Sequence, residues 1–298
     1  MKKLVLLAFF IGFATLSYAQ DYTDIVKFQY NRATLGNIDN DDETEVGNAN
    51  LETYFVIPAT PKTIFIAGFT YENTRLSLDH DDDFRTNLVM TRLNLGVKLD
   101  HGNGWSGTYV LLPKYASDFD DLGGDAFQFG GLALFEKKIS GRKGWKFGSY
   151  VSSENFGTII TPLVGMWYKS PNRKFYVNAV FPIRSEANYA ISDIFSVGAN
   201  LLTSVKAYDL SGNVDGLYVQ EESIRFNLYA GVSLFNGTLL ARAKIGYDTT
   251  DYGVYLQGDT VGAQILTFQV GGDDRNRQNR EFDAAPFMGV DLVLRAGI

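Results

Sequence analysis

The chain has 298 residues, of which 45% are hydrophobic and 14% aromatic, and its formal net charge at pH 7 is −7. This hydrophobic content is too high for an intrinsically disordered protein. Cysteine is absent, which excludes disulfide scaffolds, thiolate metal sites and cysteine nucleophiles. The acidic balance argues against nucleic-acid binding, because that function needs a basic surface.

The N-terminal segment, residues 1–19, has the layout of a secretory signal peptide. A basic start precedes an apolar run at residues 4–16, and small residues end the segment at Ala19, which places cleavage before Gln20. The alternative, an uncleaved anchor, is disfavoured because the apolar run is shorter than the about 20 residues that span a bilayer. We therefore predict that residues 20–298 form a single mature domain.

Alternation with a period of two dominates the rest of the chain. In residues 224–234 the even positions are apolar, whereas the odd positions include Arg225, Asn227 and Tyr229. The same alternation recurs in three further segments, residues 89–99, 239–248 and 288–298. A strand with this pattern has apolar surroundings on one side and polar surroundings on the other.

The residue types on the polar faces favour a membrane barrel over a soluble β-sandwich. A sandwich would expose Lys, Glu and Thr to bulk water, whereas Gly, Asn, Ser, Tyr and Arg dominate here, as in a crowded water-filled lumen. The alternating stretches run about 9–13 residues, the length of a tilted membrane-spanning strand. Aromatic residues near strand ends, including Trp105, Trp145 and Trp167, suit interfacial girdles.

The links between strands alternate between tight turns and longer polar segments, as in an outer-membrane barrel. The predicted fold is all-β, a transmembrane antiparallel up-and-down β-barrel of about 14 strands, or about 12 if residues 174–191 are irregular. Long links are expected at 35–45, 75–85, 116–124, 209–217 and 251–285, and the compact links near 154–159 and at Pro182 fit less well. The predicted strands are 23–33, 46–57, 62–73, 86–99, 105–115, 126–138, 145–153, 160–169, 174–181, 183–191, 194–207, 219–234, 238–249 and 286–298.

Three features resemble uncharacterised outer-membrane β-barrel proteins of Bacteroidota. These are the signal peptide ending at Ala19, the phrase ANYAISDIFSVG at residues 187–198, and a chain that ends on a β-strand. The resemblance covers the mature chain and supplies no catalytic residues, and Ile298 stands where many such barrels end in an aromatic residue. It implies an outer-membrane location, contact with membrane lipid and lipopolysaccharide, and insertion by the barrel-assembly machinery.

Catalytic chemistry has little support in the sequence. A barrel hydrolase needs a histidine beside a nucleophilic serine, and only His80 and His101 are present. The predicted topology puts these two residues on opposite sides of the membrane, with no suitable serine beside either. We therefore predict no enzymatic activity and no cofactor.

Acidic residues cluster in the long links. Asp39, Asp41, Asp81 and Asp83 are weak candidates for binding a divalent cation, which prefers oxygen ligands and would bridge to lipopolysaccharide phosphates. Thr44 stands where a calcium loop of the EF-hand type needs glycine. The alternative is that these loops are simply solvated, and no specific metal site is predicted.

Charged residues on the polar strand faces are the main site candidates. The basic members on the last three strands would form a ladder that favours anions in a pore. The alternative is internal neutralisation by Glu52, Asp248 and Asp291, since charges in a narrow lumen usually pair. The predicted lumen-facing charges are Arg92, Lys98, Arg225, Arg242, Lys244, Asp248, Asp291 and Arg295.

Two functions remain open from the sequence. The first is a passive outer-membrane channel or transporter for small solutes, because a barrel of this size can enclose a polar lumen. The second is a closed structural or surface-interaction barrel without transport. In the first case, the apolar stretch at 259–266 within the longest link is expected to fold inward and constrict the pore.

Overall fold

The computed structural model describes residues 22–37, 40–78, 85–119, 123–210, 216–270 and 272–297. Within these residues, fourteen antiparallel strands form a closed barrel, because β17 pairs with both β1 and β13. The wall strands are β1 Tyr22–Asn37, β2 Asn40–Thr60, β3 Thr63–Ser77, β4 Arg85–Gly102, β5 Trp105–Ser117, β6 Phe127–Ser140, β7 Lys143–Glu154, β8 Gly157–Lys169, β9 Phe175–Phe181, β10 Arg184–Ala190, β11 Phe195–Leu210, β12 Leu217–Leu234, β13 Leu239–Asp248 and β17 Ala285–Gly297. Three short strands precede β17: β14 Asp251–Leu256, β15 Gly262–Ile265 and β16 Phe268–Val270.

The predicted all-β barrel of fourteen strands is confirmed, since residues 174–191 form β9 and β10. The expected long link at 35–45 is wrong, because β1 and β2 continue as one hairpin to residues 37 and 40. The links near 154–159 and at Pro182 are tight turns at the end of the barrel where the long links lie. The predicted signal peptide lies outside the described residues.

The two faces of each strand follow the predicted alternation. On β12, Phe226 and Leu228 point outward and are half exposed, whereas Arg225 and Asn227 point inward and are buried. This apolar outer belt is the surface that a barrel presents to lipid. The described residues contain no helix long and apolar enough to cross a membrane.

The tryptophans divide between the two faces. Trp105 and Trp145, at the short-turn end, are 40% and 50% exposed on the outside. Trp167 is buried and points inward, where its indole N–H donates to Glu136 at 3.1 Å. The expectation of a girdle therefore fits the first two residues and is wrong for Trp167.

The barrel wall is low at the β9–β10 hairpin. Each of these strands has 7 residues, whereas β8 has 13 and β11 has 16. We call the end of the barrel where the long links lie the upper end. At this end, β8 and β11 consequently have no wall strand between them. Pro162 lies on this part of β8, and a proline is tolerated at a sheet edge because it has no N–H to donate.

The upper parts of β11 and β12 leave the wall and cross the lumen together with β14. We call this three-stranded extension, residues 203–210, 217–223 and 251–256, the roof sheet. β14 continues the pairing of β12 above β13, and Asp209 on β11 pairs with Ser117 of β5 on the far side of the ring. The roof sheet therefore covers the end of the barrel where the long links lie.

The chain after the roof sheet fills the gap above the β9–β10 hairpin. We call residues 257–284 the inner loop. Its strand β15 pairs in parallel with the upper edge of β8, so that Gly262, Ala263 and Gln264 face Gly157, Thr158 and Ile159. The expected inward fold of residues 259–266 agrees with this placement, and Leu266 lines the lumen.

Candidate functional site in the lumen

A cavity of about 500 Å³ lies inside the barrel beneath the roof sheet. Its lining changes with height, as the inward residues of β1 show. Lys27, Gln29 and Asn31 line the cavity, and Ala33 and Leu35 above them pack under the roof sheet. Along β1 the lumen is therefore polar at mid-height and apolar where the roof closes it.

One half of the cavity wall is polar and charged. Its inward residues follow one hydrogen-bonded row across four neighbouring strands, from Lys27 to Glu52, Thr70 and Arg92. The next row towards the roof contains Gln29, Asn50 and Glu72. These side chains line the cavity together with polar residues of β11, β12 and β13.

The other half of the cavity wall is mainly apolar, with Thr108, Lys114, Tyr150 and Thr161 as its polar members. Inward residues of β5, β6 and β8 supply most of it, and this division of the lumen was not predicted from the sequence. A signal is present at 129–135, where apolar residues occupy both faces of β6, as in a strand with apolar surroundings on both sides. The residues of this half include Val110, Leu112, Leu132, Leu134 and Leu163.

The roof sheet is buried on both faces. Tyr208, Val219 and Tyr252 on one face pack against the apolar upper lumen of β1 to β4, which includes Leu35 and Leu88. On the opposite face, Ala207 and Tyr218 pack with residues of the β7–β8 turn, β8 and the inner loop. These contacts hold the sheet across the lumen by the burial of apolar side chains.

Buried ion pairs join the roof sheet to the wall. The Lys206 ammonium lies 2.7 Å from a carboxylate oxygen of Glu72 and 3.3 Å from one of Glu221. Glu154 accepts hydrogen bonds from Lys114 at 2.6 and 2.7 Å and from the backbone N–H of Ala207 at 2.9 Å. Glu154 thus neutralises Lys114 of the wall and also accepts a hydrogen bond from the unpaired edge of β11.

Arg275 fixes the inner loop to the roof sheet. Its guanidinium donates to the Tyr218 hydroxyl at 2.8 Å and to the Gln220 side-chain oxygen at 2.6 Å, and it pairs with Asp273 at 2.7 Å. The same group stacks 3.9 Å from the centre of the Tyr255 ring. A single side chain therefore joins the inner loop to two strands of the roof.

Two acids of the roof sheet accept hydrogen bonds from glutamines of the inner loop. Gln257 donates to Asp209 at 2.5 Å, and Gln264 donates to Glu222 at 2.9 Å. Burial raises the pKa of both carboxyl groups, and the neighbouring Asp251 raises the pKa of Glu222 further. The contact between loop and roof consequently contains two carboxyl groups whose pKa is raised from its ordinary value by burial.

The predicted basic ladder is neutralised within the barrel. Arg225 donates to Asp248 at 2.8 Å, and Lys244 pairs with Asp291. The guanidinium of Arg242 lies 2.7 Å from Glu186, a partner that the sequence analysis did not single out. Arg295 pairs with Asp24 at 3.1 Å, and Glu52 lies 3.7 Å from Arg184. This arrangement corresponds to the alternative of internal neutralisation.

Two predicted lumen cations have no ion pair with any described residue. Arg92 lines the cavity, and its Nε is buried without a hydrogen-bond partner. Lys98 lies further along β4 towards the short-turn end and is not part of the cavity lining. Lys27 was not among the predicted lumen charges, although its odd position on β1 places it on the inward face.

The other candidates lie near the ends of the barrel. Asp39, Asp81 and Asp83 fall outside the described residues, as does His80, and the backbone of Asp41 belongs to β2. His101 lies at the β4–β5 turn. In the part of the chain that the structure describes, no group of three or more acidic or histidine side chains is arranged to hold a metal ion.

The fold is similar to that of solved outer-membrane barrels. An outer-membrane channel from Pseudomonas putida F1 aligns with a TM-score of 0.49 and 11% identity, covering 96% of this chain and 98% of the channel. The toluene transporter TodX from Pseudomonas putida aligns with a TM-score of 0.35 and 11% identity, covering 94% and 91%. No protein-family model and no curated protein matches the sequence. The likeness is one of fold and assigns no substrate.

Proposed function

We propose that this protein is an outer-membrane barrel that passively transports small solutes, with the roof sheet and the inner loop as its gate. The observation that carries the proposal is the cavity of about 500 Å³ at mid-height, whose charged half contains Lys27 and Arg92, two cations that have no ion pair among the described residues. A lumen with only a filling role would bury paired or apolar groups instead.

The gate follows from how the cavity is bounded. Leu266 of the inner loop lines the cavity, and β15 occupies the gap in the wall above the short β9–β10 hairpin. Withdrawal of the inner loop would connect the cavity to the side where the long links lie. The wall itself would stay closed, because β17 and β1 pair independently of this loop.

The apolar outer belt supports an outer-membrane location, and the predicted signal peptide supports export to it. Membrane lipid and lipopolysaccharide would then contact the outer face, and the barrel-assembly machinery would insert the chain. Passive transport needs no catalytic group or cofactor, and we propose none for this protein.

The second candidate is a closed structural or surface-interaction barrel. Burial of both faces of the roof sheet favours it, since fully buried Tyr208, Tyr218 and Tyr252 close the lumen in the described structure. The two candidates differ in one property: in a transporter the inner loop leaves its position, and in a structural barrel it does not.

A reversible crosslink tests this difference, because the chain has no native cysteine. Thr158 and Ala263 are paired residues on β8 and β15, and neighbouring strands lie about 4.8 Å apart, within the range that a disulfide spans. The double variant T158C/A263C, refolded and inserted in planar bilayers, should conduct when reduced and stop conducting when oxidised. The two single-cysteine variants are the matched controls.

Deletion of residues 258–280 provides the complementary measurement. Transport predicts a larger single-channel conductance for the deletion variant, because the segment that borders the cavity is gone. A folded barrel that is silent in the reduced, oxidised and deletion forms would refute transport and favour the structural role. Heat-modifiable migration on gels verifies that each variant is folded.

A further inference from the structure

The charged residues that line or border the cavity fall into two groups. Most of the cations are held by carboxylates of the barrel. Lys27 and Arg92 are different, because among the described residues neither side chain has a hydrogen-bond or ion-pair partner. Lys27 is only 9% exposed, and the Nε of Arg92 is fully buried. The paired cations are Lys114, Arg184, Lys206, Arg225, Arg242 and Lys244.

Lys27 is buried and Arg92 is half-buried, and a cation withdrawn from water without a partner is costly, so the position of these two groups needs an explanation. They lie in one row of the wall, separated by Glu52 and Thr70 on the two intervening strands. The Oε2 atom of Glu52 lies 3.7 Å from Nη1 of Arg184. Between β1 and β4 the row thus presents two positive groups to the cavity, and its one carboxylate, that of Glu52, has another cation nearby.

The wall formed by β5 to β8 is mainly apolar, and its cation Lys114 is already paired with Glu154. Val110, Leu112, Leu132, Leu134 and Leu163 face the cavity from β5, β6 and β8. A small inorganic anion would satisfy the cations and leave this apolar surface in contact with water. A molecule with an anionic end and an apolar body would satisfy both halves.

We propose that the cavity binds an amphiphilic carboxylate, with its head group at Lys27 and Arg92 and its apolar body against the leucine-rich wall. This inference rests on the proposed transport function and names the class of solute that the lumen accepts. The volume of about 500 Å³ lies within the range of small-molecule sites. The guanidinium of Arg92 is suited to the carboxylate because its N–H donors form a fork.

The test is equilibrium dialysis of the full refolded protein in lipid nanodiscs, with empty nanodiscs as background. The probe is 4-butylbenzoate, and the matched compounds are 4-butylbenzyl alcohol, which lacks the charge, and benzoate, which lacks the apolar tail. The carboxylate with the tail should bind most tightly. Loss of either the charge or the tail should weaken binding about tenfold or more.

Variants assign the binding to the two cations. Arg92→Gln and Lys27→Gln should each weaken 4-butylbenzoate binding about tenfold and leave the alcohol unchanged. Arg92→Lys should restore part of the affinity, because it retains the charge and loses the fork. Lys98→Gln removes a cation from the same strand outside the cavity lining and should have no effect. Heat-modifiable migration shows that each variant is folded.

Three results would overturn the proposal. They are equal binding of the carboxylate and the alcohol, equal loss in the Arg92 and Lys98 variants, and no binding above the empty nanodiscs. These outcomes are separate from the transport test, because dialysis requires no conduction. A protein that conducts ions but binds no carboxylate keeps its transport function and loses this solute class, whereas one that binds but never conducts loses transport alone.

Discussion

Replacing Arg275 with alanine should release the inner loop from the roof sheet. The guanidinium makes two hydrogen bonds to the roof, at 2.8 Å to Tyr218 and 2.6 Å to Gln220, and its side chain is 2% exposed. It also stacks on Tyr255. Alanine would remove all of these contacts at once and leave the two roof acceptors without this donor.

The size of the effect follows from these contacts. Hydrogen bonds that involve a charged group contribute about 1.5–3 kcal/mol each, and a cation–π contact adds about 0.5–2 kcal/mol. Asp273, the ion-pair partner, is 25% exposed, so that the pair contributes less than a fully buried one. The lower ends of these ranges add to about 3.5 kcal/mol, which would raise the ratio of open to closed states by about three-hundredfold or more.

Single-channel recording in planar bilayers measures this ratio directly. The Arg275→Ala variant should spend a far larger fraction of time open, and Arg275→Lys should fall between it and the native protein, because lysine keeps the charge without the fork and the stacking. Lys62→Ala, an exposed change in the β2–β3 turn, is the control. A folded Arg275→Ala protein with the gating of the native chain would refute the role of this contact.

Three further predictions concern the wall and the pH response. Lys114→Met should lower the free energy of unfolding in urea by about 3–5 kcal/mol, because it leaves the Glu154 carboxylate buried without its cation. A much smaller loss would mean that the hydrogen bonds from Ser152 and the β11 backbone are enough to stabilise that carboxylate. Gly165→Ala should reduce the refolded yield on heat-modifiable gels, since a Cβ there would overlap a backbone carbonyl of β9, whereas Gly141→Ala meets no atom within 4 Å and should refold normally. Burial raises the pKa of Glu222 in the closed gate, so the closed gate binds a proton more tightly than the open one. Closure should therefore be strongest below this pKa and weaken as the pH rises through it. Glu222→Gln should flatten this pH dependence of the open fraction.

Most of the wall was predictable because the alternation that marks a membrane strand can be recognised within a single stretch of sequence. Each membrane strand has lipid on one side and the lumen on the other, so that alternation along β12 and β13 gives both the strand and its orientation. The count of fourteen followed from turns such as 236–237 and 170–173, which end strands through local backbone preferences. The inward charges Arg225 and Arg242 were identified for the same reason.

The pairing of those charges was only partly accessible. Asp248 and Asp291 are on neighbouring strands, and the sequence could propose them as partners. Glu186 reaches Arg242 from β10, which is not adjacent to β13 in the wall. Such a contact depends on the width and curvature of the closed barrel, and no spacing along the chain encodes it.

The sequence by itself determined a membrane barrel of about 12 to 14 strands and the direction of each inward face, because these depend on period-two alternation and on local turns. Only the tertiary structure decided that β11, β12 and β14 cross the lumen, since residues 203–210 and 217–223 are buried on both faces and the alternation lapses there. It also decided that Lys27 and Arg92 share one cavity with the mainly apolar wall of β5, β6 and β8. That arrangement arises when the sheet closes on itself and brings distant strands to opposite sides of one cavity.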